Sequence, residues 1–124
     1  MNKVVPAILV VVAVIHALPI AGVLGAGKLS QLYGINIDDP NLVLLLRHRA
    51  VLFGLLSAFL AYAAVRPDLQ GIALVAGLVS VVSFLLLAPP TGSLTPGIVT
   101  VVRADWVALV LLLAGAAVHV TAHR

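Results

Sequence analysis

Four long apolar stretches, residues 4–24, 42–65, 69–88 and about 98–121, take up most of this 124-residue chain. Each meets the roughly 20 residues that a helix needs to cross ~30 Å of hydrocarbon. Val and Ile are abundant, yet the runs far exceed strand length. In lipid the backbone must also satisfy its own hydrogen bonds, so helices are predicted. With 63% hydrophobic and 9% charged residues, the chain carries more apolar surface than a small soluble domain hides. The expected fold is all-α: one integral membrane domain, a bundle of four transmembrane helices joined by short loops.

The punctuation agrees with that division. Gly25-Ala26-Gly27 ends the first helix, and Pro19 inside it predicts a kink near its far end. Asp39-Pro40 reads as an N-cap followed by proline at the first helical position. Arg66-Pro67-Asp68 is so short a turn that helices two and three must be antiparallel neighbours. Pro89 to Ser93 breaks the third helix, and Pro96-Gly97 leads into the fourth. Tyr33 and Trp106 are expected at the membrane interfaces. Lys3 and later small residues raise a cleaved signal peptide, but the apolar run is longer than a signal core and carries His16 and Pro19. It is read as a span.

Four spans put Lys3, Arg66 and Arg124 on one side and Lys28, Asp38 and Asp39 on the other. The positive-inside rule then favours cytoplasmic termini, in a multi-pass protein of a bacterial inner membrane. The net charge of +3 comes from seven basic residues spread thinly, which is no nucleic-acid footprint. Cysteine is absent, so thiol chemistry and Cys-bound metals are excluded. Gly22 to Lys28 fits GxxxxGK, but Leu29 stands where a phosphate loop needs Ser or Thr, and the βαβ context is missing. No GxSxG elbow occurs.

Asp105 is the only acidic residue inside any of the four stretches. Charges in lipid are costly and mark functional sites. At 1.5 Å per residue, Asp105, His16 and the run Arg47-His48-Arg49 all fall roughly 10–12 Å in from the same side, and Ser80 and Ser83 reach similar levels. Rows of small residues mark where membrane helices approach one another. On helix two that row is Ala50, Gly54, Ser57, Ala61 and Ala64, and Arg47 continues it. Arg47 is therefore expected to face inward and pair with Asp105, while at least one of the three basic residues snorkels to the headgroups. His16 lies beside Ala13, Ala17 and Ala21; helix three presents Ala73, Ala76, Gly77, Ser80 and Ser83; helix four aligns Asp105, Ala108, Leu112 and Gly115 or Ala116.

The candidate ligand-binding set is thus Arg47, His48, Arg49, His16, Asp105 and Ser83. Excess positive charge there suits an anionic or carbonyl group of an amphipathic ligand such as a quinone, isoprenoid or lipid. The competing reading makes the cluster structural, in an accessory subunit or scaffold of a membrane complex, with a membrane protein or a second copy as partner. A third makes Asp105 and His16 an acid–base pair acting on a lipid-soluble substrate. His16 and His48 share a depth on antiparallel helices, the minimum for axial haem ligation. Because Arg47 rather than His48 continues the small-residue face, no cofactor is expected.

The stretch Leu32-Tyr33-Gly34-Ile35, Asp39-Pro40-Asn41-Leu42 and Leu46-Arg47-His48-Arg49-Ala50-Val51-Leu52-Phe53-Gly54 resembles the DoxX-like small bacterial four-helix membrane proteins. In span number and length the resemblance covers nearly the whole chain. It implies the four-helix fold and a site at the Arg-His-Arg start of helix two, without naming a reaction. Some chains of this kind are labelled phosphopantetheine adenylyltransferase. That activity goes with a soluble nucleotide-binding α/β fold and a (T/H)xGH motif, and neither stands in this sequence.

Overall fold

The computed structural model describes residues 3–18, 27, 30–31, 39–88 and 94–122. They form four α-helices: α1 (Val4–Ala17), α2 (Pro40–Ala64), α3 (Gln70–Leu87) and α4 (Pro96–Ala122), with one 3₁₀ turn, Pro67–Leu69, before α3. No strand occurs among the described residues. The Pro19 kink, the Gly25–Gly27 stop, Lys28, Tyr33, the break from Pro89 to Ser93 and the tail His123 lie outside the described residues, apart from Gly27 itself.

Local chemistry sets the helix ends. Asp39 caps α2: its Oδ1 accepts from Asn41 N at 2.9 Å, and Pro40 occupies the first turn, where its missing N–H has no intrahelical partner to lose. Pro6 sits in the first turn of α1 for the same reason. Arg66 and Ala88 both leave the helical region for extended backbone, and both precede a proline, whose ring disfavours the α conformation in the residue before it. Thr95 opens α4, its carbonyl accepting from Val99 N at 2.9 Å.

In cross-section the helices run α1–α2–α3–α4 around a ring, with α4 closing back on α1. The links alternate in direction. Ser57 of α2 meets Ala13 of α1, Leu112 of α4 meets Gly77 of α3, and Ile8 of α1 meets Gly115 of α4. Each helix sends a fully buried side chain to the centre: Leu9, Leu60, Val81 and Leu112. The α3–α4 seam is reciprocal. A Cβ on Gly77 would stand 3.1 Å from Leu112 Cδ2, and one on Gly115 would stand 3.1 Å from Leu74 Cδ2. Each missing side chain admits the other helix's leucine.

The outside is as apolar as the inside, with Leu86 80% and Leu87 83% exposed. Such a belt belongs in lipid. α2, α4 and the segment Pro67–Leu87 are each long and apolar enough to cross a membrane, whereas α1, at 14 residues, is shorter.

The small-residue row on α2 needs correction. Ala50 and Ala64 are buried, but Ala61 is exposed, and the core residues between them are Leu60 and Ala63. The buried face is centred on Phe53, Ser57 and Leu60. Counting 100° per residue back from Leu60, Arg49 lies only about 20° away, whereas His48 is about 120° and Arg47 about 140° round. α4 keeps its expected face, with Ala108, Leu112 and Gly115 buried and Ala116 partly so.

Candidate functional site

His16 is the buried centre of the polar layer, only 3% exposed on α1. Its Nδ1 lies 3.0 Å from Val12 O, and its Nε2 lies 3.2 Å from Ser80 Oγ on α3. A carbonyl accepts only, so Nδ1 carries a proton; in the neutral ring Nε2 then accepts from the Ser80 hydroxyl. This bond ties α1 to α3 across the bundle. The ring also meets Phe53 of α2 edge-on, with centroids 5.6 Å apart. Ser57 Oγ donates to Ala13 O at 2.7 Å and ties α2 to α1.

Beside His16 a pocket of about 380 Å³ opens between α1, α2 and α4. Ile15, Leu18, Phe53, Val101 and Ala104 make most of its wall, and His16, Arg49, Thr100 and Asp105 supply the polar groups. Arg49 and Asp105 each lie nine residues from the start of their helices, Pro40 and Pro96. At 1.5 Å per residue both therefore sit about 13–14 Å along. The shared depth read from the sequence recurs as a shared pocket. The Arg49 guanidinium lies over the Phe53 ring, 4.4 Å from its centroid, and 5.6 Å from that of Phe84 on α3. Aromatic faces are favourable neighbours for a cation that has left water.

Of the six candidates, the structure brings three together at this pocket: His16, Arg49 and Asp105. Arg47 and His48 are exposed on the other faces of α2, so the arginine that shares the pocket with Asp105 is Arg49 and not Arg47. Ser83 is also exposed and donates to Ser80 O at 2.9 Å. Ser80, one turn earlier, is the serine that reaches His16. No family model matches the chain, and neither does any curated protein or solved structure.

Sequence reasoning missed Phe53, Phe84 and Thr100. Phe53 was findable, since it stands one helical turn from Arg49 on the same face. His16 and His48 do not meet at the pocket, one being buried and the other exposed. Among the described residues no group of three or more His, Cys, Asp or Glu side chains is placed to hold a metal ion. Both ring nitrogens of His16 make contacts within the bundle.

Proposed function

We propose that this chain is a multi-pass inner-membrane protein, with cytoplasmic termini, that binds a small amphipathic ligand of the quinone, isoprenoid or lipid class. Membership of the DoxX-like group is part of this reading. One observation carries it: two ionisable side chains, Arg49 and Asp105, line a pocket that is otherwise mostly apolar. About 380 Å³ falls in the 300–1,000 Å³ range of small-molecule sites, which combine apolar walls with a few convergent polar groups. A ligand with a polar head and an apolar body matches that distribution. Its head meets Arg49 and Asp105, and its body meets Phe53, Val101 and the α1 side chains at the rim.

The test is mass spectrometry of organic extracts from the protein purified in mild detergent, wild type beside Arg49→Ala and Asp105→Asn. A stoichiometric small molecule is expected in the wild type and depleted in both variants. Bulk lipid alone in all three samples would refute the reading. A haem band in the visible spectrum of the same sample would overturn the expectation of no cofactor.

A second reading, a scaffold or accessory subunit of a membrane complex, draws on the His16 bonds, which are made entirely inside the bundle. It expects the double change Arg49→Leu with Asp105→Leu to preserve activity of the complex, as apolar replacement of buried ionisable groups together often preserves the fold.

A further inference from the structure

A second cleft, of about 150 Å³, lies between α3 and α4 and has no lining residue in common with the pocket beside His16. Among the described residues its wall is Phe84, Leu87 and Ala88 from the end of α3, with Leu94, Ile98 and Val102 at the start of α4. All six are apolar. The two helices keep one antiparallel register, in which Gly77 faces Leu112 and Leu74 faces Gly115. Carried along the seam, that register sets Leu86 level with Arg103, and Leu86 is among the most exposed leucines of the chain. Arg103 therefore stands at a depth where the neighbouring helix offers leucine to the membrane.

Arg103 follows Val102 of the cleft wall and is exposed, about 180° round α4 from the buried Leu112. It makes no hydrogen bond, ion pair or ring contact among the described residues. The residues that join α3 to α4, Pro89 to Ser93, carry no ionisable side chain. Trp106, the only tryptophan of the chain, is 55% exposed. It lies about 120° from Leu112, between Val102 and Arg103 in angle. An arginine at lipid level without a counter-charge is costly. Helical side chains lean toward the N-terminus of their helix, and Arg103 is about 10 Å along α4 from Pro96. Its guanidinium thus snorkels toward the headgroups on the side where α4 begins, at the level of the cleft.

The geometry points to a phospholipid site on the outer face of the α3–α4 seam, independent of the ligand pocket. The lipid phosphate meets Arg103, whose planar guanidinium matches two phosphate oxygens at once. One acyl chain begins in the cleft and runs inward past Trp106. An apolar cavity of about 150 Å³ holds a benzene, so the cleft takes about six chain carbons. A headgroup without a cation of its own is preferred, because a choline or ethanolamine nitrogen competes with Arg103 for the phosphate. The occupant is therefore an anionic phospholipid.

The test reads Trp106 fluorescence from the full chain in phosphatidylcholine vesicles. Phosphatidylglycerol with brominated chains is titrated in as a contact quencher, beside phosphatidylcholine brominated in the same way. The wild type is expected to bind the phosphatidylglycerol about fivefold more tightly, the effect of one basic side chain at an anionic surface. Arg103→Gln should lose that preference, and Arg47→Gln, on the diagonal helix α2, should leave it unchanged. Ile98→Phe fills the cleft and should weaken quenching by phosphatidylglycerol with Arg103 still in place. Equal binding of the two lipids by the wild type would overturn the site, as would a preference that survives Arg103→Gln. Unchanged quenching in Ile98→Phe would overturn the chain's seat in the cleft; if that variant loses its helical circular dichroism, Arg103→Gln decides alone. An acidic helix of another protein or of a second copy on this face would shield Trp106. Both lipids would then quench weakly in the wild type and more strongly in Arg103→Gln, and the lipid assignment would fall.

Discussion

Replacing Arg49 with alanine should destabilise the bundle far more than replacing Arg47, two residues away. The Arg49 guanidinium is 4.4 Å from the Phe53 centroid and 5.6 Å from that of Phe84. Cation–aromatic contacts are worth about 0.5–2 kcal/mol depending on desolvation. Taking about 1 kcal/mol for the nearer ring and about half that for the farther gives roughly 1.5 kcal/mol. That is roughly tenfold in the unfolding equilibrium constant. Arg47 is exposed, so Arg47→Ala should stay within about 0.5 kcal/mol of wild type. The assay is reversible unfolding in mixed dodecyl maltoside–dodecyl sulfate micelles, followed by circular dichroism. Arg49→Lys keeps the charge but loses the flat stacking surface, and should recover about half of the loss. Equal costs at the two positions, or a larger cost at Arg47, would mean that α2 is rotated from the orientation described here.

The α3–α4 seam gives a second expectation in the same assay. Gly115→Ala should be near neutral, because roughly 1 kcal/mol of helix propensity offsets a Cβ that Leu74 and Ile8 must yield to, whereas Gly115→Leu should cost about 3 kcal/mol by overpacking. Ser57→Ala removes the 2.7 Å bond to Ala13 O and should cost about 0.6 kcal/mol, the average for hydrogen bonds between membrane helices, and at most about 1.7 kcal/mol; no change on titration would show that the bond contributes nothing net.

Helix number, the helix ends at Asp39-Pro40, Arg66 and Ala88, and the depth of Arg49 and Asp105 were legible because each follows from local chemistry. Asp39-Pro40 is a cap whatever surrounds it, and Arg66 and Ala88 leave the helix because proline follows. Depth is a count of residues from a helix start, so Arg49 and Asp105, each nine residues from a proline, could be placed in one layer before any tertiary contact was known. Rotation about the helix axis was less legible. In water an apolar stripe announces the core, but Leu60 at the centre of the bundle and Leu55 at its surface are the same residue in equally apolar surroundings. Only small residues and polar groups then carry rotational information, and on α2 the small row pointed to a face about 70° from the one that is buried. Ala61, a member of that row, is exposed. The large side chains Phe53 and Leu60, with Ser57 between them, set the orientation, and they bring Arg49 rather than Arg47 to the pocket.

The polar groups of this layer separate into two kinds by where they stand. His16, Ser57 and Ser80 form bonds that close within the bundle, from α1 to α3 and from α2 to α1. Such bonds fix how the helices lie against one another and ask nothing of a ligand. Arg49 and Asp105 belong to α2 and α4, which stand diagonally in the ring, and both line the pocket that α1 helps to wall. The packing seam between α3 and α4 is made instead by the Gly77–Leu112 and Gly115–Leu74 contacts. The position of two ionisable side chains on a cavity wall is what favours the ligand reading over the scaffold reading. The same position explains why the bonds around His16 matter to it: they hold α1 in register, and α1 carries the wall against which a ligand's apolar body would rest.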